Sequence, residues 1–141
     1  NEMNDSYISL EFALSHYQII PEITPSITSV SNSRNEEIEN HLGNFYYYKV
    51  APKLFCGFVL MESSIWKGRF TRIAEKEKAL FDLIYFRKDL KTDEDFASLR
   101  LNVEKINPSR VREFIALVEA AQIKKRLDNF IKYLDAVISR N

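Results

Sequence analysis

Arg72-Ile73-Ala74-Glu75-Lys76-Glu77-Lys78-Ala79-Leu80-Phe81-Asp82-Leu83-Ile84-Tyr85-Phe86 decides how this chain folds. The stretch reads as a short strand that turns directly into a helix. Leu80, Phe81, Leu83, Ile84 and Tyr85 cover more than one helical stripe, so the helix is expected to face the core on two sides. Strand-like segments precede it and helical segments follow it, which makes it the element that the rest must pack against.

Working back toward the N-terminus, Arg69 to Ala74 alternates as a strand, with Arg69, Thr71 and Ile73 on one face and Phe70, Arg72 and Ala74 on the other. Ser63 to Gly68 reads as a hairpin-like connection to a strand over Gly57–Glu62. Ala51 to Phe55 reads as a turn with Pro52 near its start. Gly43 opens Asn44 to Val50, the clearest strand, with Tyr46, Tyr47 and Tyr48 placing aromatics on both faces. Ser31 to Leu42 is polar and reads as a loop, with room for a short strand near Ile38. Ile27, Thr28 and Val30 mark a strand over Ser26–Ser31. Pro21 and Pro25 bracket an irregular connection. Ser9 is placed to cap a short helix that buries Leu10, Ala13, Leu14 and Tyr17, and residues 1–6 are expected to be loose. No stretch between Ser26 and Ala74 holds a long crossover helix, so the sheet is expected to be four-stranded and mainly antiparallel.

Toward the C-terminus, Asp89 to Asp93 is a linker to a helix over Asp93–Leu101 with Phe96 and Leu99 inward. Asn107-Pro108 is a helix start, with Asn as the cap and Pro at the first helical position. Val111, Phe114, Ile115 and Val118 form one stripe. Ile123, Leu127, Phe130, Ile131, Leu134 and Ile138 form another, roughly 150° away at the helical period. A break near Ala120-Ala121-Gln122 resolves the conflict by making two helices; one long helix with a partner on its second face is the competing reading. The fold class is therefore α+β, one domain over residues 1–141, with a helical C-terminal portion.

Composition excludes several classes of function. The chain has 141 residues, of which 45% are hydrophobic, with ten Phe and seven Tyr. Twenty basic and twenty acidic residues cancel, so no global charge marks a nucleic-acid or membrane binder. No segment approaches the roughly 18 apolar residues of a membrane span, and no signal-like start is present. The chain is read as soluble and cytoplasmic. A single cysteine, Cys56, lies in an apolar run and reads as a buried reduced thiol. His16 and His41 are too few for a zinc site, Gly43, Gly57 and Gly68 form no phosphate loop, and no nucleophile elbow is visible. No metal, cofactor or catalysis is expected. Lys78 and Asp82, four apart on one helix, read as a salt bridge rather than as chemistry.

The local anomaly is basic. Lys67, Arg69, Arg72, Lys76 and Lys78 fall close together beside Trp66 and Phe70. They read either as a patch for phosphate or a partner, or as cations guarding a sheet edge, the plainer reading. Lys124, Lys125, Arg126 and Lys132 pose the same choice on the last helix, between a solvated face and a nucleic-acid or partner contact.

An ordered set of short pieces adds a family expectation. Tyr7-Ile8-Ser9 with Ala13-Leu14, Ile20-Pro21-Glu22, Thr28-Ser29-Val30, Gly43-Asn44-Phe45, Pro52-Lys53-Leu54-Phe55-Cys56-Gly57, and then Ile73-Ala74 with Glu77-Lys78-Ala79-Leu80 and Asp82-Leu83-Ile84-Tyr85 resemble the main domain of AbiEi-type antitoxins. The motif residues are Glu77, Lys78, Leu80, Asp82 and Tyr85. The resemblance spans residues 7 to about 86; the last two helices fit it loosely. It implies an antitoxin and transcriptional autoregulator of a type IV toxin–antitoxin system of the abortive-infection kind. In that family an N-terminal winged helix-turn-helix binds operator DNA, and the following domain counteracts a nucleotidyltransferase toxin. No winged helix precedes Tyr7, so the chain is expected to be a fragment or a relative without that part. The expected partners are operator DNA through the missing domain, and the toxin or its RNA substrate. Two other readings stand beside it: an interaction domain using an aromatic face at Tyr46–Tyr48, and an enzyme with a carboxylate site at Glu77 and Asp82.

Overall fold

In the computed structural model, which describes residues 5–62 and 68–140, a six-stranded mixed sheet is combined with five helices. In chain order the elements are β1 (Ser6–Ile8), α1 (Leu10–His16), β2 (Ser26–Ser31), β3 (Glu36–Asn40), β4 (Gly43–Lys49), β5 (Phe58–Glu62), β6 (Phe70–Ala74), α2 (Lys76–Phe86), α3 (Asp93–Ala97), α4 (Pro108–Ile115) and α5 (Ala121–Ser139). The strands lie in the order β3-β4-β2-β1-β6-β5.

The expectation of four mainly antiparallel strands is corrected on both counts. Ser6–Ile8 is a strand at the centre of the sheet, not part of a loose start: Tyr7 pairs with Val30 antiparallel, and Ile8 with Ile73 parallel. The acidic segment Glu36–Asn40 is a full edge strand, antiparallel to β4. Two of the five pairings are parallel, β2 with β4 and β1 with β6. The first needs no crossover helix. The β3–β4 hairpin folds back so that β4 enters between β2 and β3, running the same way as β2. The connecting loop is tied down where Asn35 Oδ1 accepts from the Lys49 amide at 2.8 Å, and where Arg34 stacks 4.3 Å from the Tyr47 ring centroid. The second parallel pair uses the whole intervening chain as its crossover.

Register sorts the two faces. Tyr7, Val30, Tyr48, Phe58 and Ala74 share the face toward the helices, where Phe58 stacks on Tyr7 and Tyr48 meets Phe86. Ile8, Ile27, Phe45 and Val59 alternate onto the other face, half-buried or exposed.

α2 is the hub. It contacts α1, β6, α4 and α5, and every residue from Glu77 to Ile84 is buried. The expected break before the last helix lies at residues 116–120, so the two apolar stripes belong to separate helices. Val111, Phe114 and Ile115 are buried on α4, and Leu127, Phe130 and Leu134 on α5. The Asn107 cap acts as read, its Oδ1 accepting from the Ser109 amide, and Thr92, inside the segment expected to be a linker, forms a reciprocal capping box with Asp95. The helix at Asp93 stops at Ala97, earlier than expected, where the chain turns through a left-handed Arg100 (φ 51°). Among the described residues, no helix is long and apolar enough to cross a membrane.

Candidate functional site

The family-like motif builds a closed polar cluster inside the core. Lys78 and Asp82 are one turn apart on α2, with side chains 0% and 1% exposed. Because apolar residues surround α2, neither can reach water, and each must find partners inside. All three ammonium N–H groups are used: on Asp82 Oδ1 at 2.8 Å, the Leu54 carbonyl at 2.8 Å and the Tyr7 hydroxyl oxygen at 2.6 Å. The other carboxylate oxygen of Asp82 accepts from the Tyr7 hydroxyl at 2.9 Å and from Ser9 Oγ at 2.7 Å. The rings of Phe81 and Phe114 lie 5.3 and 5.7 Å from the ammonium. Burial and the adjacent carboxylate push the Tyr7 phenol far above its ordinary range, so it remains a hydrogen-bond donor. Burial also raises the Asp82 carboxyl, opposed by the charge and hydrogen bonds of Lys78 and the hydroxyls of Ser9 and Tyr7.

Two expectations change here. The Lys78–Asp82 pair exists, but at full burial rather than on a polar helix face. Ser9 does not cap α1 with its side chain, because Oγ is spent on Asp82; the Leu10 backbone takes a left-handed turn (φ 57°) to begin the helix. Tyr7 and Ser9 were not singled out as site residues, since nothing local ties them to a helix more than 70 positions away.

The remaining motif carboxylates join elements together. Glu77 is buried and accepts from the Asn107 amide at 3.0 Å, which fixes the start of α4 against α2, and Lys76 Nζ lies 3.5 Å from it. Glu75 takes a two-pronged bond from Arg110 at 3.0 and 2.8 Å, which holds its carboxyl below the ordinary 4.5. Leu80 is fully buried and Tyr85 half-buried.

The basic residues divide into two groups at opposite ends of α2, about 16 Å apart at the helical rise. At the N-terminal end, Arg72 lies 5.2 Å from the Phe58 ring centroid, Arg69 is exposed before β6, and Lys76 opens α2. Lys67 and Trp66 lie outside the described residues, as does most of the expected hairpin. At the C-terminal end, Lys125 and Arg126 line a cleft of about 780 Å³ together with Lys88, Lys91, Tyr85 and Ile123, whereas Lys124 is half-buried away from that lining. Arg126 Nε and NH2 donate to the Ile84 and Tyr85 carbonyls at 3.1 and 2.6 Å, which caps α2 and docks α5 on it. Lys91 falls in the segment read as a linker and Lys88 just before it, and neither is among the expected site residues.

Tyr46, Tyr47 and Tyr48 are half-buried within the sheet, while Val59, Leu60 and Phe70 are the exposed large apolar residues of β5 and β6. Among the described residues, no three of His, Cys, Asp and Glu gather as metal ligands would.

No protein-family model matches the chain, and no match to a curated protein was found.

Proposed function

We propose that the chain is a non-catalytic antitoxin domain that counteracts a nucleotidyltransferase toxin in the cytoplasm, within a regulator that also represses the toxin's operon. The observation carrying this reading is the convergence of the family-like pieces. Tyr7-Ile8-Ser9, Pro52 to Gly57, and Glu77 to Asp82 are far apart in sequence, and each supplies a partner to the one buried cluster through Tyr7 and Ser9, Leu54, and Lys78 and Asp82. A chance scatter of similar residues has no reason to close on a single ion pair. Support for a contact role over a catalytic one comes from the motif carboxylates: Asp82 and Glu77 face inward and are occupied by Lys78 and the Asn107 amide. The surface left for the toxin or its RNA substrate is basic, at the two ends of α2.

The proposal requires a nucleotidyltransferase toxin encoded beside the chain, and co-expression with the product of the neighbouring gene tests it. The expected result is restored growth of cells that the toxin alone arrests. Unchanged arrest, with the chain soluble and folded by circular dichroism, would refute it.

A further inference from the structure

We propose that the cleft between the end of α2 and the start of α5 binds a nucleotide, its phosphate held by Lys88, Lys91, Lys125 and Arg126 and its nucleoside laid against Tyr85 and Ile123. The inference stands on the cleft and not on the antitoxin reading.

Its first support is charge. In a chain with no net charge, four cations from two segments line one cavity, and among the described residues lining it there is no carboxylate. Asp89 is clamped by Arg87 at 2.9 and 2.8 Å and also feels the charge of Arg126, Asp95 accepts from the Lys91 and Thr92 amides, and Glu119 pairs with Lys53 at 2.7 Å. The lining cations are thus only partly balanced by neighbouring carboxylates, and an anion in the cleft relieves their remaining mutual repulsion.

The second support is pre-organisation. Two hydrogen bonds to the end of α2 fix the Arg126 guanidinium, leaving its other N–H groups for a ligand. The residue capping the start of α5, Ala120, offers no side-chain acceptor, so the amides of the first turn add donors at the same cleft wall.

The third is size and lining. A volume of about 780 Å³ is far larger than a lone phosphate needs and lies in the range of small-molecule sites. Tyr85, Ala120, Ala121 and Ile123 give it an apolar floor, and an aromatic wall beside cations suits a base joined to a phosphate. A smaller groove of about 340 Å³ shares Lys91 and Asn129 with the cleft and continues to Lys132 and Tyr133, with Asp93 also in its lining. The same chemistry can thus come from a free nucleotide or from a unit of a single strand.

The test is a titration of the ¹⁵N-labelled chain at low salt, followed by amide chemical shifts. The probes are AMP, GMP, CMP and UMP, with adenosine and inorganic phosphate as halves, and 5′-phosphorylated tetra-adenylate. At least one mononucleotide is expected to shift the amides of Ala121, Gln122 and Ile123, binding about tenfold more tightly than either half. Lys88→Gln with Lys125→Gln is expected to weaken it at least about tenfold, whereas exposed Lys49→Gln leaves it unchanged. Both lysines are exposed, so folding is not at stake; a thermal melt verifies this. A tetranucleotide that binds about tenfold tighter than AMP, with shifts spreading to Lys132 and Tyr133, assigns the strand as the source; equal affinity assigns the free nucleotide. The proposal is overturned if none of the four mononucleotides moves those amides, if the double variant binds as well as the parent, or if inorganic phosphate matches the nucleotides.

Discussion

Lys78→Met destabilises the domain by about 3–5 kcal/mol, because it leaves the Asp82 carboxylate buried without its counter-charge and strips the Leu54 carbonyl of its donor. Against a total stability on the order of 5–15 kcal/mol, that is a large share, and it unfolds a substantial fraction of the chain where the total lies at the low end of this range. The loss is not a measure of what the pair contributes. Removing the stranded charge as well, in Lys78→Met with Asp82→Leu, is expected to return about 1–3 kcal/mol, since residues that share one buried network are coupled on this scale. Urea titrations of the parent, both single variants and the double variant close the cycle. Additive losses would show that the two side chains do not act as a pair.

Gly57→Ala is the second large effect. The backbone there is left-handed, at φ +77°, and a Cβ would sit 2.8 Å from Phe114 Cζ and 2.9 Å from Lys78 Cγ. The left-handed turn costs an L-residue roughly 1–2 kcal/mol, and crowding a packed core a further ~1–3 kcal/mol. The glycine lets the chain after Leu54 pass close over the stem of Lys78, and its carbonyl accepts from the Glu75 amide at 2.8 Å, just before α2 begins. A fall in urea midpoint corresponding to about 2–5 kcal/mol is expected. Phe114→Leu in the same chain should recover the share due to the Phe114 ring, but neither the contact with Lys78 nor the backbone part. A Gly57→Ala variant as stable as the parent would show that the close approach is absent.

Where sequence reading succeeded, the signal was local. The strands at Ser26–Ser31, Gly43–Lys49, Phe58–Glu62 and Phe70–Ala74, the cap at Asn107, and the change of stripe before α5 each follow from neighbouring residues. β1 was missed because three residues beside a polar start carry too little periodicity. β3 is legible only as room for a short strand near Ile38, because Glu36, Glu37 and Glu39 suit only an edge strand, which does not look apolar in sequence. The parallel pairings were hidden by an assumption that parallel strands require a helix between them, which a returning hairpin evades. At the candidate sites, burial of Lys78 and Asp82 was legible in principle. On a helix flanked by Leu80, Phe81, Leu83 and Ile84, an i,i+4 ion pair has no polar face to occupy. Its partners Tyr7 and Ser9, and the meeting of Lys88 and Lys91 with Lys125 and Arg126, depend on how α2 packs on β1 and α5, and no short window of sequence contains that.

The buried cluster is read as architecture, and the proposed contact role rests on the basic residues at the two ends of α2. The most direct measurement is growth of toxin-expressing cells carrying the Tyr7→Phe, Ser9→Ala, Lys78→Met, Asp82→Leu chain, with its thermal melt recorded in parallel. With the fold retained, this all-apolar replacement is expected to restore growth as the parent chain does. A variant that melts like the parent yet fails to restore growth, where the parent succeeds, would contradict the structural role and place function in the buried cluster itself.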